Sequence, residues 1–170
     1  MRIVRYDPAR PDHRVAFRDL NLAWIERWFV VEPRDRHELE DPEGHILAGG
    51  GWMFIAELDT PEGIEVVGTC ALLAEHDGAR ELVKMAVKES AKGRGVGRAL
   101  GEAAIAAARA DGVARVELMS NTKLEPAIAL YRRLGFVEVP LPPNDYSRAN
   151  IAMVLELNRH GRNGVRADRL

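Results

Sequence analysis

A single cysteine, Cys70, stands in the 170 residues, so no intramolecular disulfide can form and the fold must rest on its core. Long apolar runs are also missing. None approaches the roughly 20 residues that a membrane helix needs, and the opening "MRIVRYDPARPDHR" lacks the apolar centre of a signal peptide. The expectation is a cytoplasmic protein without membrane contact. Charge of one sign is not in surplus: 24 Lys and Arg against 26 Asp and Glu give a net −2. That argues against a nucleic-acid partner, whose phosphates call for many cations spread over one face. The five histidines show no close ligand spacing and Cys70 lies inside a strand, so no metal site is expected. Aromatic residues make up only 6% of the chain. Against that background Trp24, Trp28 and Trp52 stand out, either as walls of a ligand pocket or as core.

What is present reads as one domain with a substantial core. Residues 2–6 form a strand, and a helix follows over 13–31, where Val15, Leu20 or Leu22, Trp24, Ile25 and Trp28 recur at helical spacing. Residues 32–51 are polar, hold two prolines and suggest short helical turns. Period two then takes over in 52–58, 64–76 and 80–87, three strands of an antiparallel meander. The helix predicted over 96–110 carries Leu100, Ala103, Ala104, Ala107 and Ala108 on one stripe, small enough to lie close to a sheet. Strands at 114–120, 136–139 and 148–157 and a helix at 125–135 complete a domain spanning 1–157, followed by a polar tail at 158–170. The fold class is α/β with a mixed, largely antiparallel sheet. One strand–helix–strand crossover, from 80–87 to 114–120, makes those two strands parallel.

Between strand and helix lies "KESAKGRGVGRALG", residues 88–101. Helix-start amides lack intrahelical partners and carry positive potential, and glycines let a phosphate approach them. The Walker pattern fails here for want of Gly-Lys-Ser/Thr, and G-x-G-x-x-G fails because Arg98 or Leu100 stands at its last place. The pattern that fits is Gln/Arg-x-x-Gly-x-Gly/Ala, with Lys92 in the first place, then Gly95 and Gly97. Downstream, "AIALYRRLGF" carries Ala127, Leu130, Tyr131, Gly135 and Phe136 as A-x-x-L-Y-x-x-x-G-F.

The two motifs in register resemble those of the GCN5-related N-acetyltransferase (GNAT) superfamily, a resemblance covering most of residues 2–157. It implies the acyl-CoA N-acyltransferase fold, with the parallel strand pair splayed apart, and acetyl-CoA as cosubstrate. The amides of Gly93, Arg94, Gly95, Val96, Gly97 and Arg98, with Lys92, would hold the pyrophosphate, and the backbone of Met85, Ala86 and Val87 would hold the pantetheine arm. Tyr131 would protonate the leaving thiolate. Glu81, at the start of the central strand, is the first choice for general base, with Glu75 and His76 as runners-up. Lys92 stands where Gln or Arg is usual and Leu124 where Asn is usual, so Asn121 is the substitute for that coenzyme contact. Strand alternation puts Glu81, Val83 and Met85 on one face and Leu82, Lys84 and Ala86 on the other. The implied activity is acetyl transfer to a primary amine of a small molecule, amino acid or protein, by direct attack in a ternary complex. A non-catalytic coenzyme-A-binding sensor is the alternative, and a homodimer is an expectation from the family.

Overall fold

The period-two runs become a single seven-stranded sheet, ordered β1-β2-β3-β4-β5-β7-β6. The computed structural model describes residues 1–144 and 146–157, so the tail expected at 158–170 lies outside the described residues. The strands are β1 (Arg2–Arg5), β2 (Trp52–Thr60), β3 (Gly63–Ala74), β4 (Ala79–Val87), β5 (Arg115–Ser120), β6 (Val137–Val139) and β7 (Ile151–Glu156). β2, β3 and β4 are the expected meander, and β4 with β5 is the parallel pair. That ladder joins only Ala79 to Arg115, Arg80 to Val116 and Glu81 to Glu117. Past Glu81 the two strands are unladdered, which is the expected splay. No described helix is long and apolar enough to cross a membrane.

Helices α1 (Pro11–Trp28) and α2 (Pro33–Glu40) cover one face, around Phe17, Ile25, Leu39, Met53 and Ile55. Helices α3 (Val96–Ala110) and α4 (Glu125–Arg133) cover the other, around Leu100, Ala104, Val116, Ile128 and Phe136. α3 keeps its expected limits, and its small residues do what their size allows. It lies so close to β3 that a Cβ on Gly68 would stand 2.8 Å from Val96 Cγ1 and 3.0 Å from a Leu100 methyl.

Three sequence expectations are corrected. First, α1 begins at Pro11 and ends at Trp28, where Phe29 turns to extended backbone. Its inward face is His13, Phe17, Asn21 and Ile25, while Val15 is 48% exposed and Trp28 47%. Two polar residues hold inward positions because each has a buried partner. His13 Nε2 lies 3.1 Å from Glu57, and the Asn21 amide donates to the Phe17 carbonyl and the Thr69 hydroxyl. Hydrophobic periodicity could not register them. Second, the last strand starts at Ile151 rather than 148. Residues 147–148 turn, and Asn150 N–H donates to the Ser120 carbonyl. Third, the alternation along β4 breaks. Register passes from Thr69–Ala86 to Ala71–Val83, two residues of β3 against three of β4. The extra residue is a β-bulge, and Lys84 sits in it at φ 52°. The bulge turns Lys84 to the same side as Glu81 and Val83, toward α2, while Met85 and Val87 pack toward α3.

The Gly68 contact yields a prediction. Gly68→Ala forces α3 off β3 and destabilises the protein by about 1–3 kcal/mol, read as a lower urea midpoint at unchanged m-value.

Candidate active site

The bulge and the splay make the site. From Leu82 to Val87 the β5-facing edge of β4 has no ladder partner, so its amides and carbonyls are available to a ligand. At the end of β4 a short helical turn (Glu89–Ala91) leads into the glycine loop. Gly93 and Gly95 hold φ of 73° and 79°, in the left-handed region that glycine tolerates best. Gly95 caps the N-terminus of α3. A Cβ on either glycine would meet no atom within 4 Å, and both residues line the cavity described next. Lys92 Nζ bonds Glu89 at 2.6 Å, and Arg27 reaches the same carboxylate oxygen at 2.9 Å. Arg98 pairs with Glu102 one turn along α3.

The splayed edge, the loop and one face of α4, from Pro126 to Arg133, enclose one cavity of about 830 Å³, which also reaches α1 and the 146–149 turn. Of the residues singled out from the sequence, Glu81, Met85, Val87 and Tyr131 line it, as do Lys92, Gly93, Gly95, Val96, Gly97, Arg98 and Asn121. Ala86 and Arg94 lie outside the wall; Ala86 is buried against Thr69. Glu75 is exposed beyond the end of β3 and forms no part of the wall. Asn121 spends its side chain on backbone, donating to the Arg148 carbonyl at 2.6 Å and accepting from Lys123 N–H at 2.9 Å. Trp24 and Trp28 border the cavity, whereas Trp52 lies outside it, under the guanidiniums of Arg5 and Arg80.

Glu81 is nearly buried, and desolvation pushes its carboxyl above the usual 4.5. Arg34, at 3.2 Å, opposes the rise, while Glu75 and Glu38 reinforce it. Tyr131 packs edge-on to Phe136 with ring centroids 6.1 Å apart. Burial raises its phenol to about 12.

Sequence reasoning missed the ionic knot beside Glu81. Lys84 Nζ lies 2.8 Å from both Asp35 and Glu38 and 3.1 Å from the Tyr146 hydroxyl. Arg148 grips Asp35 with both terminal nitrogens, at 2.7 and 2.9 Å. Burial alone would raise the Asp35 carboxyl; Arg148 and Lys84 override it and hold the group at about 2. Arg34 joins Glu38, at 2.8 Å, to Glu81. The sequence signal was thin: a lysine in a strand, and a "YSR" past a proline-rich turn.

A model of the acetyltransferase (GNAT) domain matches residues 49–138, more than half of the chain. The protein belongs to the GNAT acetyltransferase family. Solved GNAT structures repeat the fold. A GNAT-family acetyltransferase from Staphylococcus aureus Mu50 superposes with a TM-score of 0.78 at 20% identity, over 92% of this chain and 98% of that one. An acetyltransferase from Streptococcus agalactiae 2603 gives 0.76 at 25% identity, again over 92% and 98%. A Bacillus subtilis acetyltransferase in complex with CoA gives 0.67 at 21% identity, over 92% and 98%. No curated protein matches the sequence. Within the GNAT frame, the cavity lies where the crossover strands part.

Asp35→Asn leaves Lys84 and Arg148 without their common counter-ion, and this GNAT domain loses about 3–5 kcal/mol of stability at neutral pH. A carboxyl depressed from 3.8 to about 2 stabilises fully above its unfolded pKa, and that contribution fades as pH falls toward 2. Urea titrations of both proteins at neutral pH and near pH 2 are expected to show the gap closing.

Proposed function

We propose that this protein is an N-acetyltransferase that moves the acetyl group of acetyl-CoA to a primary amine of a small molecule, amino acid or protein, by direct attack in a ternary complex. One observation carries the reading. The open glycine loop and the unladdered edge of β4 face the same cavity, and both Glu81 and Tyr131 stand on its wall. GNAT membership and the coenzyme-A-bound Bacillus subtilis relative support it.

Acetyl-CoA supplies a thioester carbonyl and a thiol leaving group. The loop amides from Gly93 to Arg98, with Lys92 freed from Glu89, hold the pyrophosphate at the positive end of α3. Met85, Ala86 and Val87 offer backbone groups along the splayed edge to the pantetheine arm and the carbonyl. Asn121 shapes the wall beside them. Glu81 takes a proton from the incoming ammonium, directly or through water, and passes it to solvent. The neutral amine attacks the carbonyl carbon; the C–N bond forms and the C–S bond breaks. Tyr131 gives its proton to the sulfur, and the remaining amine proton replaces it. With a phenol near 12, Tyr131 stays protonated at neutral pH and ready to donate.

The working form of Glu81 is the carboxylate, so kcat/KM is expected to climb as pH rises through a pKa above 4.5, set by burial against Arg34, Glu75 and Glu38. Glu81→Gln removes that limb and lowers kcat by about a hundred- to ten-thousand-fold. Tyr131→Phe lowers kcat while the acetyl-CoA Kd holds; normal turnover in that variant removes the tyrosine's role.

Thiol release from acetyl-CoA over a panel of amino acids, polyamines, aminoglycosides, simple amines and peptides tests the whole reading. Binding without release for any acceptor leaves a coenzyme-binding module instead. Gly95→Val places a branched Cβ at φ 79° in the space assigned to phosphate. It is expected to abolish acetyl-CoA binding in calorimetry with a wild-type circular dichroism spectrum; retained binding overturns the loop assignment.

A further inference from the structure

The acceptor end of the cavity is a continuous wall of aromatic and charged groups. Trp24 packs on Phe29 with ring centroids 6.0 Å apart, and the Arg148 guanidinium lies 6.0 Å from the Phe29 ring and 4.5 Å from Tyr146. Tyr146 in turn meets Lys84, Glu38 and the face of Arg34, and Arg34 ends on Glu81. Trp24, Trp28, Phe29 and Tyr146 all border the cavity. A ligand entering there slides along aromatic faces toward a carboxylate.

Of the charged groups at this end, Lys84, Arg148 and Glu81 line the cavity. Behind them stand Arg34, Glu32, Asp35 and Glu38, and the whole ionic network holds three cations and four carboxylates. Every cation is already engaged. Lys84 has Asp35 and Glu38, Arg148 has Asp35 and Glu32, and Arg34 gives its closer bond, 2.8 Å, to Glu38. The uncompensated carboxylate is Glu81, left with a shared guanidinium at 3.2 Å. One positive charge beside Glu81 completes the set. A ligand carboxylate, as in an α-amino acid, meets Lys84 and Arg148 already paired from behind and is repelled by Glu81 in the wall. A second ammonium or a set of sugar hydroxyls loses water against the indole and phenyl rings without a carboxylate or hydrogen-bond partner in return.

Resting on the acetyltransferase reading above, we infer that the acceptor is a singly charged primary amine with an apolar, aromatic-sized body and no carboxylate. Its ammonium docks at Glu81 and its body lies on Trp24, Trp28 and Phe29. Glu81 then has two tasks, recognition of the cation and removal of its proton.

The test compares phenethylamine with phenylalanine, spermidine, kanamycin and a tetrapeptide in the thiol-release assay. The expected result is a kcat/KM for phenethylamine at least about a hundredfold above each of the others. Equal or better turnover of any of them overturns the inference while leaving the enzyme an acetyltransferase. Silence with every amine overturns the acetyltransferase reading instead, and binding then decides this one. Titrated into coenzyme-free protein, phenethylamine is expected to change tryptophan fluorescence saturably, with at least tenfold lower Kd than phenylalanine; equal Kd values overturn it. Trp28 is half exposed, so Trp28→Ala folds without repacking a core. It is expected to raise the phenethylamine Kd severalfold and leave the circular dichroism spectrum unchanged, and an unchanged Kd removes the aromatic wall from the argument.

Discussion

Lys84 carries a strained backbone and a buried charge at one point of the central strand. Its left-handed φ costs roughly 1–3 kcal/mol in a non-glycine residue, and burying an ammonium costs several more. Both are met locally. The Thr69 hydroxyl, itself fixed by the Asn21 amide, donates to the Lys84 carbonyl at 3.2 Å, and the ammonium finds Asp35, Glu38 and the Tyr146 hydroxyl. Asp35 also accepts from its own helix start, through Glu32 N–H at 3.0 Å, and from Arg148. One side chain thereby ties α2, β4 and the turn before β7 together. The bulge ends the regular pleat just past the last β4–β5 pair, and bulges raise local twist. In a regular strand Lys84 would turn to the opposite face, away from Asp35 and Glu38.

The same knot divides the cavity electrically. On the loop and α4 side the wall bears Lys92, Arg98, Lys123 and Arg133, suited to a polyanion. On the α1 and α2 side the lining cations Lys84 and Arg148 are paired from behind, and Glu81 is the carboxylate that reaches the cavity. A net charge of −2 conceals this polarity. Whole-chain charge argued against a broad cationic face and held no information about two ends of one pocket.

Much of the frame was legible because it follows local rules. Period two gave the meander, the small-residue stripe gave the close approach of α3, and glycines between strand and helix gave the phosphate-like loop. The candidate site was legible wherever it is built from contiguous chain. What escaped depends on contacts far apart in sequence. A bulge adds one residue to a strand and shifts every later side chain, yet leaves no composition signal. Asp35 and Arg148 stand 113 residues apart, and each alone reads as a surface charge. The inward face of α1 escaped for the same reason: His13 and Asn21 are buried by partners on β2 and β3, which no helical periodicity reports.

Desolvation acts on the two proposed proton-transfer groups in the same direction, with different consequences for each. It disfavours the charged form of any acid, so it raises Glu81 and Tyr131 alike. For the carboxyl, a higher pKa means a stronger base. For the phenol, it keeps the proton in place at neutral pH but makes the group a weaker acid than an ordinary thiol at about 8.5. In the proposed mechanism the amine proton must therefore reach the Tyr131 oxygen as its own proton leaves for the sulfur. The Arg34 guanidinium at 3.2 Å opposes the rise that burial imposes on Glu81. Under the proposed reading Arg34 therefore positions and tunes the group assigned as the base.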